Sequence, residues 1–144
     1  MPSTRRSILI GSSVAIGAIA GCQSVNLGDP REIDLTLRNY TDKEQPLRLE
    51  LLREDKTELG EASVLDTEYT VPAPGEGDDS AGTIRETDVV PERRYIVRVL
   101  LKNGRHEQFH SHYYPDGSTD DEIDISIYRD ETTENLFVDF RAIS

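Results

Sequence analysis

The chain reads as an all-β protein, a two-sheet antiparallel sandwich of seven or eight short strands. Three observations predict it. From residue 32 onward apolar residues recur at every second position, the spacing that sends alternate side chains to opposite faces of a strand. Turn-forming residues separate these runs at short intervals. No stretch carries a convincing long helical repeat of apolar residues. Residues 32–144 then form one domain of two packed layers.

The strands follow in order. Ile33, Leu35 and Leu37 alternate with Asp34, Thr36 and Arg38, and Leu47, Leu49 and Leu51 with Arg48 and Glu50. Tyr95, Val97, Val99 and Leu101 alternate with Ile96, Arg98 and Leu100. Ile123, Ile125 and Ile127 alternate with Asp124, Ser126 and Tyr128, and Leu136, Val138 and Phe140 with Phe137, Asp139 and Arg141. Weaker strand patterns lie at Glu68–Val71, Thr83–Val89 and His106–Tyr114. Asn39–Asp42 and Asp116–Ser118 read as loops, Asn103-Gly104 as a hairpin turn, and Pro72–Asp79 as a polar connection. Glu50 to Leu59 can be scanned as helical, but the leucine alternation ahead of it favours a strand running into a turn.

Pro91-Glu92-Arg93-Arg94-Tyr95-Ile96-Val97 puts a tyrosine at a strand start, with an inward residue two positions on. This resembles the tyrosine corner of immunoglobulin-like sandwiches, with Val97 where antibody domains have a cysteine. The resemblance implies an immunoglobulin-like sandwich without its disulfide, since the chain has one cysteine and no tryptophan.

The first 22 residues read as an address. Arg5-Arg6 precede an uncharged apolar run from Ile8 to Ala20, which is shorter than the roughly 20 residues a membrane-spanning helix needs. It suits the apolar region of a cleavable signal. The run ends in Ile19-Ala20-Gly21-Cys22. These features resemble the twin-arginine signal and lipobox of exported lipoproteins. That likeness implies cleavage before Cys22, a lipid on its thiol, and a domain that folds before export. Residues 1–21 are then the signal peptide, 22–31 a tether and 32–144 the β-sandwich. The expected location is the outer face of the cell membrane, held by the lipid.

The whole chain carries a net charge of −12. Losing residues 1–21 removes Arg5 and Arg6 and no acid, so 16 basic side chains fall to 14 against 28 acidic ones, a net of −14. So acidic a surface argues against nucleic acid as partner, which needs cationic groups to neutralise phosphates. It also argues against docking on anionic lipid through the protein surface. Thirteen of the basic residues are arginine and only Lys43, Lys56 and Lys102 are lysine. High acid with scarce lysine resembles proteins of salt-loving archaea. In molar salt the screening length is about 3 Å, so a large net charge costs little. The chain as a whole resembles the exported acidic sandwich lipoproteins of such organisms.

No catalytic set is legible. Ser111 lies between His110 and His112, but strand neighbours point to opposite faces, so neither imidazole reaches the hydroxyl. Asp116–Glu122 is rich in oxygen ligands without the spacing of a calcium loop. Asn39-Tyr40-Thr41 is a glycosylation sequon, which requires exposure. His106, His110 and His112 fall at even spacing, and neutral imidazole is a common metal ligand. His110 with His112, completed by a group such as Asp124, suits copper or zinc. His106 lies about 13 Å along the strand from His110 and is too far to join them. A two-residue turn at Asn103-Gly104 would pair Leu101 with His106 and put the histidines on the face of Val97, but a three-residue turn bulged at Gly104 is favoured. It pairs Phe109 with Val97, buries Phe109 and Tyr113, and leaves the histidines in water, where they also serve as idle surface residues. The expected function is therefore a non-enzymatic, lipid-anchored surface domain for interaction or ligand binding, without a cofactor. A metal-binding domain using His110 and His112, and an accessory subunit of a transport system, stay open as alternatives.

Overall fold

In the computed structural model, which describes residues 31–75, 80–117 and 121–143, the alternating runs form eight strands. They are β1 (Glu32–Asn39), β2 (Gln45–Arg53), β3 (Ser63–Val71), β4 (Gly82–Pro91), β5 (Tyr95–Leu101), β6 (Gln108–Tyr113), β7 (Glu122–Arg129) and β8 (Leu136–Ile143). One short helix, α1 (Leu59–Ala62), interrupts the connection from β2 to β3.

The strands assort into two sheets, β4-β1-β7-β8 and β3-β2-β5-β6. Leu47, Leu49 and Leu51 of β2 face Leu35 and Leu37 of β1, Val97 and Val99 of β5, and Ile125 and Ile127 of β7 in one apolar cluster. Most of these side chains are fully buried, and each contributes roughly 1.5–3 kcal/mol of transfer free energy. The five strong runs and the three weak ones therefore all lie on strands, but Thr83–Val89 loses its alternation where the β1–β4 register shifts and Asp88 takes a positive φ of 55°, and the third weak run begins only at Gln108.

In one sheet β2 pairs with β5, β5 with β6, and β3 flanks β2, and in the other β1 lies beside β4. The exception to antiparallel pairing is β7. It runs parallel to β1, with Leu35 beside Ile123 and Leu37 beside Ile125. The chain leaves β6 at the end of the sandwich where β1 begins, so the strand that crosses over must run in β1's direction. The antiparallel expectation fails at this one pair.

The tyrosine corner is formed. Tyr95 is buried to 1% exposure, and its hydroxyl donates to the Pro91 carbonyl at 2.6 Å. The bond locks the β4–β5 turn onto the start of β5. Tyr95→Phe keeps the ring and removes only this bond, so it should cost about 1–2 kcal/mol in chemical denaturation. An unchanged midpoint would show that the corner is held by ring packing alone.

The β5–β6 turn corrects the expectation at Asn103-Gly104. The Lys102 amide donates to Pro46 O at 2.9 Å, prolonging the pairing with β2, and the Leu101 amide donates to Glu107 O at 2.9 Å. The loop therefore runs from Lys102 to His106, longer than either turn that the Asn-Gly signal suggests. Asn103 Oδ1 accepts the Arg105 amide at 3.3 Å, and Gly104 and His106 take positive φ of 87° and 51°. Phe109 consequently pairs with Val99 and not Val97, and Ser111 pairs with Val97. The shift is by two residues, so the faces are as expected: Tyr113 is buried, Phe109 half-buried, and His110 and His112 exposed.

Candidate functional site

Strand direction sorts the loops into two poles. β1, β3, β5 and β7 run one way and β2, β4, β6 and β8 the other. The described parts of the connections 40–44, 72–81, 102–107 and 130–135 therefore gather at one pole. Those of 54–62, 92–94 and 114–121 lie at the other, together with Arg31, where the described chain enters β1.

The first pole is organised around Asn39. Its Nδ2 group donates to Lys43 O at 2.7 Å, Val71 O at 3.3 Å and Pro72 O at 2.9 Å. Its Oδ1 accepts the Thr41 amide at 2.9 Å and lies 2.8 Å from Thr41 Oγ1. Gln45 Nε2 donates to Thr41 Oγ1 at 2.8 Å. One side chain thus satisfies backbone groups of two loops that lack ladder partners. The exposure expected of the sequon is not found: in the folded domain Asn39 is 0% and Thr41 2% exposed.

Above this network lies a cleft of about 400 Å³, its walls including Lys43, Asn103, Arg105, Glu107, Asn135 and Leu136. A second hollow of about 460 Å³ shares Arg129 and Glu134 with it and extends to Tyr40 and Tyr128. The walls are braced from below. Arg129 Nη2 donates to Asp42 Oδ1 at 3.2 Å, and Arg105 donates to Asn135 Oδ1. Asp130 Oδ1 accepts the Thr132 and Thr133 amides at 2.7 and 2.9 Å, and these donors hold the carboxyl below its ordinary range. Glu107 Oε2 is buried without a hydrogen-bond partner among the described residues.

Beside the second hollow three aromatic rings stack. Tyr40 lies on Tyr128 with centroids 4.6 Å apart and planes 3° off parallel. Tyr128 lies on Phe137 at 5.1 Å and 15°. Tyr40 and Phe137 are 43% and 44% exposed, so the outer ring faces of the stack meet solvent. The alternation already pointed Tyr128 and Phe137 outward, but nothing in the spacing placed them beside Tyr40, which the parallel β1–β7 pair brings alongside.

The histidines lie elsewhere. His110 and His112 share the outer face of β6, opposite Arg98 and Ile96. His106 is in the loop and not on the strand. Asp124, the suggested third ligand, belongs to the other sheet, where Arg38 Nε holds its Oδ2 at 2.8 Å and Ser126 Oγ donates to its Oδ1 at 3.3 Å. The Asp124 pair in turn raises the Arg38 pKa. Among the described residues no three histidine, cysteine, aspartate or glutamate side chains converge as a metal site.

His112 belongs to a group at the opposite pole. Its Nδ1 lies 3.0 Å from Glu54 Oε1, which also accepts the Tyr114 hydroxyl at 3.2 Å. The His112 and Tyr114 rings stack at 6.0 Å, and the Arg94 guanidinium sits 5.4 Å from the Tyr114 centroid. A hollow of about 480 Å³ opens among Glu54, Asp55, Arg93, Arg94 and Pro115. Arg5, Arg6 and Cys22 lie outside the described residues.

No family model matches this chain, and no curated protein matches it.

Proposed function

We propose that this chain is an exported, non-enzymatic binding domain, held at the outer face of the membrane by a lipid on Cys22. The reading is supported by the twin-arginine pair, the uncharged run and the Ala-Gly-Cys ending of residues 5–22. One structural observation fits it in particular. The described chain enters β1 at the pole opposite the cleft. Nine tether residues, Gln23–Arg31, reach at most about 30 Å. A chain fixed at Cys22 would hold that entry pole near the lipid. It would turn the Asn39 pole outward, roughly 26 Å farther away across the eight-residue strand β1. Loops at the outward end of a rigid sandwich are where such domains bind ligands. Fractionation tests the anchor: Cys22→Ser should release the protein from membranes or block its processing. Normal processing with full membrane retention would refute it.

The acidic surface supports a setting of high salt. Ion pairs such as Arg48–Asp66 at 2.6 Å and Arg98–Glu50 at 3.3 Å lie on the outer face of the β3-β2-β5-β6 sheet. Exposed pairs of this kind contribute little to stability. With 28 acidic side chains against 14 basic ones after residue 21, repulsion among the excess acids outweighs what screening takes from these pairs. The melting temperature should therefore rise by several degrees between dilute buffer and molar salt. Equal midpoints would count against a saline setting.

A further inference from the structure

We infer that the paired hollows at the Asn39 pole form a carbohydrate site, taking the hydroxyl groups of a neutral oligosaccharide. The inference rests on reading that pole as the outward, ligand-facing end. The cleft walls are built from planar polar groups. Asn103, Asn135 and Arg105 carry donors on rigid forks, both amide oxygens already accepting from Arg105, and Glu107 and Glu134 bring carboxylate acceptors. Vicinal hydroxyls, each both donor and acceptor, match such groups; an apolar ligand would strip them of water without return.

Glu107 narrows the choice. It lines the cleft together with Glu44 and Glu134, so a phosphate or carboxylate would meet like charge on the walls, whereas a neutral hydroxyl meets none. Of the three cations on those walls, Lys43, Arg105 and Arg129, Arg105 is bonded to Asn135 and Arg129 is paired with Asp42.

Tyr40 supplies the second element. One face of its ring is covered by Tyr128; the other has no ring partner among the described residues, beside the second hollow. An exposed tyrosine face is a platform for the C–H face of a sugar ring. Because the two hollows share Arg129 and Glu134, the ligand is an extended chain and not a single ring. Recognition through hydroxyls and ring faces also survives molar salt, where recognition through net charge is screened away.

The test is biolayer interferometry with the full chain in detergent. The sensors carry biotinylated tetrasaccharides of glucose, mannose, galactose or N-acetylglucosamine, and each is read in dilute and in molar salt. At least one should bind in both. Tyr40→Ala and Asn135→Ala should each weaken it by about tenfold, while His110→Ala, on the outer face of β6, should leave it unchanged. Thermal melts of the variants separate lost contacts from lost fold. If Tyr40→Ala unfolds, Asn135→Ala and Arg105→Ala carry the comparison. Failure of all four sugars to bind at millimolar concentration overturns the inference. So does binding that vanishes in molar salt, or binding that folded Tyr40→Ala and Asn135→Ala both retain. Fractionation of the same protein is read separately. An anchored chain that ignores every sugar defeats this inference alone; an unanchored chain that binds one defeats only the anchored reading.

Discussion

Replacing Asn39 by alanine is expected to cost about 3 kcal/mol, lowering the melting midpoint by roughly 10 °C. The side chain is fully buried and satisfies Lys43, Val71 and Pro72 carbonyls and the Thr41 amide. Alanine leaves these groups buried without partners, and stranding a buried polar group costs more than forming one bond gains. Asn39→Asp separates this role from any role of the sequon. It preserves shape and the acceptor toward Thr41, but it turns a carboxylate oxygen toward three carbonyls. Expressed without glycosylation, it should be about as damaging as alanine. A melt within a degree of the native one for either variant would show that the two loops are tied in some other way.

Gly82→Ala should be at least as severe. A Cβ at this position would lie 1.8 Å from Pro72 O, 2.6 Å from Pro72 C and 2.9 Å from Ala73 C. All three are backbone atoms, so no side chain can swing aside and the β3–β4 connection itself must move. Overpacking usually costs about 1–3 kcal/mol. The upper end applies here because the displaced carbonyl is also one that Asn39 binds. The two substitutions act on one network and should not be additive: the double variant should lose less than the sum of the singles. Chemical denaturation of the three variants reads this. Full additivity would mean that Gly82 and Asn39 support different structures, and a neutral Gly82→Ala would mean that the two strands are not so close.

The strands were legible because a strand half-buried in a sandwich writes its burial at every second residue. Leu47, Leu49 and Leu51 could belong to nothing else, and Tyr95 announced its corner through the Pro91 four residues before it. What escaped reading depends on partners distant in sequence. Asn39 looked like an exposed turn residue, and only the return of β3 to the same pole turns its amide into an interior staple. Asn103-Gly104 looked like a three-residue turn with a bulge at Gly104, but the Pro46 carbonyl claims the Lys102 amide and lengthens the loop. Asp124 looked available to the histidines because alternation says which face a residue takes and not which sheet it joins. The cleft was illegible for the same reason. Its walls come from residues 43–46, 103–107 and 129–136, and only the crossover into a parallel β7 sets Tyr128 beside Tyr40.

That Asn39 pole faces outward only if the chain is fixed at Cys22. Mass spectrometry of the N-terminal peptide from membrane-extracted protein decides this. A peptide that begins at Cys22 and carries a lipid on its Sγ is the predicted result. A peptide that runs uncut from Ile19 through Cys22, or one that bears a free Cys22 thiol, would contradict it.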